Sequence, residues 1–201
     1  MAKPTKWETD TSAEHSAWYI KRFRELAEQG ADLGGEARLV DAMVSPGSRV
    51  LDAGCGTGRV AAVLHQRGHA VVGVDADPLL VQAASEDHDG PTWIVADLSE
   101  LDLALQGETE PFDAVVVAGN VMAFVADGTE VDVLRRLAAH LAPDGFIVIG
   151  FGLDRGYSLA GFDTDVVAAG LAVEQRFATW DLKPWHEEST FAVSVLRHAP
   201  S

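Results

Sequence analysis

Three glycines fall within five residues in the stretch VLDAGCGTGRV, Val50 to Val60, directly after a short apolar run that Asp52 closes. A strand feeding a Gly-rich turn and then a helix aims backbone N–H groups and the positive helix end at whatever lies over the turn. About twenty residues on, VVGVDAD ends a second apolar run at Asp75, where a carboxylate can accept from both hydroxyls of a ribose. A third run ends in VADL, so that Asp97 could accept from an adenine amine while the backbone N–H of Leu98 meets a ring nitrogen. The chemistry these residues offer is the holding of a nucleoside-bearing cofactor against the backbone.

The spacing separates two cofactor classes. A dinucleotide turn reads G-x-G-x-x-G and delivers a pyrophosphate to the helix N-terminus. Here Gly54, Gly56 and Gly58 give G-x-G-x-G, with Asp52 two residues ahead. A carboxylate there is a poor neighbour for a pyrophosphate, but it can receive an ammonium directly or through water. Cys55, inside the turn, is counted with the cofactor-binding residues and not as a nucleophile, because no His or Asp stands beside it in sequence.

The elements that must position these residues alternate along the chain. Apolar RVLDA, AVVGVDA, TWIVADL, FDAVVVAG and FIVIGF are separated by helical GRVAAVLHQRG, DPLLVQAASED and TEVDVLRRLAAHLA. Short apolar runs between helices mark a parallel sheet covered on both faces. Asp77 before Pro78 is the expected N-cap of one of these helices. The end differs, since LAVEQRFATW and TFAVSVLRH flank DLKPWHEES with no helix between them and predict a hairpin at or near one sheet edge. The turn PDG is expected before the FIVIGF strand.

Ahead of the first strand, residues 1–12 read as a frayed lead-in, followed by an amphipathic helix in SAEHSAWYIKRFRELAEQG and a shorter one in GEARLVDAMV. The organisation expected is one domain over 1–201, with 1–45 as an N-terminal helical lid and 48–201 as the core.

Composition bounds the partners. The 201 residues carry 31 acidic against 15 basic side chains, a formal charge of -16 that disfavours nucleic acid and anionic membranes. A cationic amine would still be welcome. One cysteine allows no internal disulfide and no Cys-rich metal site, so no metal is expected and a reducing, cytoplasmic setting fits. The polar first residues lack the apolar core of a signal peptide, and the longest apolar stretch is too short and interrupted to span a bilayer.

In order and spacing, VLDAGCGTGR, VVGVDADP, IVADL, FDAVVVAGNVM and LAPDGFIVIGF resemble the successive motifs of class I S-adenosylmethionine-dependent methyltransferases. The resemblance implies a three-layer Rossmann-like α/β fold whose seven-stranded, mostly parallel sheet has an antiparallel last strand. It also implies S-adenosylmethionine as cofactor. By it, Asp52, Gly54 and Gly56 hold the methionine moiety, Asp75 the ribose, and Ala76, Asp97 and Leu98 the adenine. Ala118, Gly119 and Asn120 would border the amino group and the sulfonium.

The acceptor is expected to be a small molecule, and AGNV in place of an NPPY-type tetrapeptide after the fourth strand argues against the amino-methylating enzymes of nucleic acids and some proteins that carry it. The acceptor's identity and the oligomeric state are not legible. Three regions should converge over the sheet's carboxyl edge: the helix bearing His15, Trp18, Tyr19 and Arg22, the loop GFGLDRGYS, and the hairpin loop with Trp180, Trp185 and His186. A general base is needed only if the acceptor starts protonated. His15, Tyr19, Tyr157 and His186 are the candidates. A nicotinamide-dependent oxidoreductase and a non-catalytic S-adenosylmethionine-binding module are the alternatives.

Overall fold

The structure, a computed structural model, describes residues 3–200. Its strands are β1 (Arg49–Ala53), β2 (Ala70–Asp75), β3 (Thr92–Val95), β4 (Phe112–Val117), β5 (Leu141–Gly152), β6 (Leu171–Phe177) and β7 (Phe191–His198). They form one sheet in the order β3-β2-β1-β4-β5-β7-β6. Pairing is parallel from β3 across to β5, and β7 lies antiparallel to both of its neighbours. The hairpin read from the sequence is therefore present, with its second strand inserted one place in from the edge.

The helices are α1 (Lys6–Asp10), α2 (Ala13–Glu28), α3 (Gly35–Met43), α4 (Arg59–Gln66), α5 (Pro78–Asp87), α6 (Val121–Phe124), α7 (Glu130–Ala139) and α8 (Leu159–Ala168). Side chains alternate across a strand, so each buried strand feeds two cores. Leu51, Val115 and Ile147 pack on one face with Leu134 and Leu137 of α7 and Phe162 of α8. Val50, Val116 and Val148 pack on the other with Val40 of α3 and Leu64 of α4. Among the described residues no helix is long and apolar enough to cross a membrane.

Strand order reverses between β1 and β4, which leave their carboxyl ends side by side, and that reversal is where open α/β sheets take ligands. The glycine turn leaves β1 at this point.

Four features depart from the sequence reading. Residues 1 and 2 of the lead-in lie outside the described residues, and Lys6–Asp10 within it is helical: Thr5 Oγ1 accepts from Glu8 N at 3.2 Å and Glu8 Oε2 accepts from Thr5 N at 2.7 Å, a capping box at the start of α1. The segment 1–45 is not a lid throughout, because Ala37 and Val40 of α3 are fully buried against the sheet, leaving α1 and α2 as the outer helices. The PDG turn is absorbed into β5, where Phe112 pairs with Leu141 and Ala114 already with Phe146. Finally α8, capped by Ser158, follows the loop after β5; its weak amphipathic pattern hides it from periodicity.

Candidate cofactor site

A cavity of about 460 Å³ opens over the carboxyl ends of β1 to β4. Every residue expected to hold the cofactor lines it: Asp52, Gly54, Cys55 and Gly56 from β1 and its turn, and Asp75 with Ala76 after β2. Asp97 and Leu98 follow from β3, and Ala118, Gly119 and Asn120 from β4.

Backbone and space both hold the turn to its glycines. Gly54 has φ +79°, and a Cβ there would stand 2.3 Å from Val121 Cγ2, so both backbone and space exclude a side chain. Its N–H and that of Cys55 both donate to Val74 O, at 2.8 and 2.9 Å, which ties the turn to β2. Gly58 is likewise left-handed at φ +80°, and a Cβ there would meet the Trp93 ring at 2.4 Å. The same indole occupies the space over Gly73.

Two carboxylates face the cavity from below. Asp52 is 1% exposed and accepts from Ala61 N at 3.0 Å; burial pushes its pKa up to about 7, against the pull of the Arg59 guanidinium and the Ala61 hydrogen bond. Asp75 accepts from Gly56 N at 2.8 Å and from Asp77 N at 3.0 Å, and burial raises its pKa as well. Among the described residues neither is paired with a cationic side chain, because Arg59 is engaged by Glu36, donating to both of its oxygens at 2.7 and 2.5 Å. Buried carboxylates left in this condition favour a ligand that brings positive charge and hydroxyl donors. The residues present therefore fit a cationic, ribose-bearing cofactor.

Asn120 adopts φ +64° and accepts from Gly152 N at 2.7 Å, which joins the ends of β4 and β5 beside the cavity. Asp97 accepts from Ser99 N at 2.7 Å. Cys55 is buried, and burial holds its thiol well above the usual range, which suits a small packing residue and not a nucleophile.

The cavity is covered by α1 and α2. Asp77 does cap α5, accepting from Leu79 N at 2.9 Å, but its other oxygen accepts from Trp7 Nε1 at 2.8 Å and from Ser16 Oγ at 2.5 Å. Trp7, His15, Trp18 and Tyr19 thereby come to line the cavity, joined by Phe124 of α6 and by Arg155 from the loop after β5. Trp7 escapes a reading of the sequence because the contact that orders it spans 70 positions.

The other candidates lie elsewhere. Arg22 is exposed on α2 and does not line the cavity. Tyr157 is a core residue, packed on Phe151 and Phe162, with its hydroxyl donated to Asp165 at 2.7 Å. Burial and that carboxylate push its pKa up, the opposite of what a base requires. His186 is exposed beside Glu188 on the hairpin loop, and Trp180 folds back over Gly150 instead of walling the cavity. Tyr19 stays in the cavity, but burial raises its pKa too, so a phenolate base is disfavoured. His15 is left as the cavity's histidine.

Residues 50–145 match the family described as Methyltransferase domain. A TehB-like SAM-dependent methyltransferase from Corynebacterium glutamicum is 41% identical, superposes with a TM-score of 0.87, and covers 93% of this chain and 100% of its own. Ribosomal protein L11 methyltransferase from Symbiobacterium thermophilum is 36% identical over 111 residues, 54% of this chain and 33% of its own length. This chain thus spans a third of that relative, and 54% of a mycobacterial uncharacterized methyltransferase. The fold alone is shared with magnesium protoporphyrin IX methyltransferase from Synechocystis, solved with bound SAM, at 22% identity, TM-score 0.60, and coverage of 81% of this chain and 76% of that one. The nicotinamide alternative falls with these findings: aligned along nearly its whole length with a 41% identical homologue, the chain belongs to the class I S-adenosylmethionine-dependent methyltransferases, whose cofactor is S-adenosylmethionine.

Proposed function

We propose that this chain transfers the methyl group of S-adenosylmethionine to a small-molecule acceptor held under α1 and α2. The observation that carries the reading is the convergence of Asp52, Asp75 and Asp97 with the glycine turn in one cavity of about 460 Å³, a volume in the small-ligand range. Bound there, the cofactor supplies an electrophilic methyl on a sulfonium.

Asp75 accepts from the ribose hydroxyls through lone pairs not used by Gly56 and Asp77. Asp97 and Leu98 N–H read the adenine edge. Asp52, Gly54 and Gly56 hold the methionine end, with Ala118, Gly119 and Asn120 bordering it. The chain's further contribution is orientation, since aligning donor and acceptor can supply on the order of 7 to 11 kcal/mol. Covering by α1 and α2 excludes water and limits wasteful hydrolysis. His15 is the side chain that could accept a proton from a protonated acceptor.

A small acceptor is supported by the helices over the cavity, which act as a lid, and by the formal charge of -16. Relatives bear names as different as ribosomal protein L11, glycine and magnesium-protoporphyrin methyltransferases, so family membership alone does not select the acceptor. The test is calorimetric titration with S-adenosylmethionine, S-adenosylhomocysteine and NADH. Saturable binding of the first two and not the third supports the reading, and Asp75→Ala should weaken it roughly tenfold or more. Binding of none, or unchanged affinity in that variant, would overturn the assignment.

A further inference from the structure

Beside the carboxylates and glycines, the cavity has a second kind of wall. Trp7 meets His15, Tyr19 and Phe124 edge-on, with centroids 5.1, 5.6 and 5.5 Å away, and His15 continues the run to Trp18 at 5.4 Å. Trp18 is 58% exposed although it lines the cavity. A tryptophan standing at a cavity mouth leaves a large apolar face in water, ready for a flat ligand to cover.

On this side the carboxylate of Asp77 stands behind Trp7, taken up by Trp7 Nε1 and Ser16 Oγ, and does not line the cavity. The carboxylates that line the cavity are Asp52, Asp75 and Asp97, all on the turn and strand ends assigned above to the cofactor. The lining arginines are Arg59 and Arg155. Arg59 is bound to Glu36. Among the described residues Arg155 has only Asp154, at 3.8 Å, with both side chains largely exposed, so that pair is weak. Arg155 approaches over Gly152, the residue whose N–H is bonded to Asn120. In a chain carrying a formal charge of -16, a cation facing the cavity without a firm partner stands out.

We infer that the aromatic side is the acceptor subsite, and that it takes a flat small molecule bearing an anionic group, its ring against Trp7, Trp18 and Phe124 and its charge on Arg155. The inference rests on the cofactor reading above and replaces the welcome for a cationic amine that net charge alone suggests. Guanidinium matches a carboxylate with two parallel hydrogen bonds, whereas an ammonium would meet like charge at Arg155.

The test uses the intact chain saturated with S-adenosylhomocysteine and two flat probes of the same size, 2-naphthoate and 2-naphthylmethylammonium, titrated by calorimetry. The anion should bind about tenfold or more tightly than the cation, and Arg155→Gln should weaken the anion by about tenfold and erase that preference. Trp18→Ala, at an exposed position, should weaken both probes. Equal or tighter binding of the ammonium, indifference of naphthoate to both substitutions, or no saturable naphthoate binding by a protein that binds S-adenosylhomocysteine would overturn the inference. Failure to bind S-adenosylhomocysteine would instead strike the cofactor reading, and this subsite with it.

Discussion

Trp7 Nε1 donates to Asp77 Oδ2 at 2.8 Å, and the same oxygen accepts from Ser16 Oγ while Oδ1 caps α5. One carboxylate thus fastens α1 and α2 to the core at the edge of the cavity. Asp77→Ala removes a cap, worth about 0.5 to 2 kcal/mol, and strands two donors, each costing roughly 1 to 3 kcal/mol where burial persists. The expected outcome is a lower Tm together with weaker S-adenosylhomocysteine affinity. Asp77→Asn, which keeps an acceptor for the cap, should recover part of the stability. Full affinity in the Ala variant would show that α1 and α2 do not govern the site.

Gly54 is constrained twice. Gly54→Ala meets a left-handed penalty of about 1 to 2 kcal/mol and an overpacking cost of about 1 to 3 kcal/mol against Val121. Adding Val121→Ala should return the second part only. Urea denaturation of the two single variants and the double variant measures this, and strict additivity would mean that the contact with Val121 is not what excludes the side chain.

Asp52 sets a pH dependence. Its pKa near 7 in the folded chain exceeds the ordinary 3.8, so the fold prefers the protonated acid; that contribution is fully present below about pH 4 and is lost as pH rises through about 7. Asp52→Asn should therefore gain stability relative to the parent as pH climbs across this window. A cation bound over Asp52 draws the proton off. Calorimetry of S-adenosylmethionine binding at pH 7, in buffers of differing ionisation heat, should report release of about half a proton in the parent and less in Asp52→Asn. Identical buffer dependence in the two proteins would remove Asp52 from the binding site.

Asn120 pairs an unusual backbone with a specific bond. Asn120→Gly keeps the φ of +64° available and loses only the acceptor for Gly152 N, whereas Asn120→Ala loses both. The Ala variant should be less stable than the Gly variant by about 1 kcal/mol. Equal denaturation midpoints would mean that the local backbone relaxes at no cost.

The half of the cavity proposed to hold the cofactor is written in local patterns of residues. The strand-turn-helix unit at Val50–Val60 and the aspartates ending β2 and β3 are legible as short motifs, and each reaches the cavity as its spacing implies. What the residues do not disclose locally is decided at long range. The five-residue α1 is too short to be stable alone and depends on Trp7 finding Asp77. Tyr157 sits in a polar, glycine-flanked segment that gives no hint of Phe151 and Phe162 beneath it. Strand direction aims the hairpin loop at the cavity, but Trp180 takes the space above Gly150 instead.

The indole of Trp93 fills what Gly58 and Gly73 leave vacant, on two elements separated in sequence but adjacent in the fold. Ring and glycines therefore share one fixed volume. A homologue with a small aliphatic residue in place of Trp93 would free the space over Gly73, whose backbone any residue adopts, so alanine at 73 should travel with loss of the ring, whereas position 58, at φ +80°, should stay glycine. The glycine in β2 then records the size of a neighbouring side chain, and the third glycine of the turn the left-handed path of its own backbone.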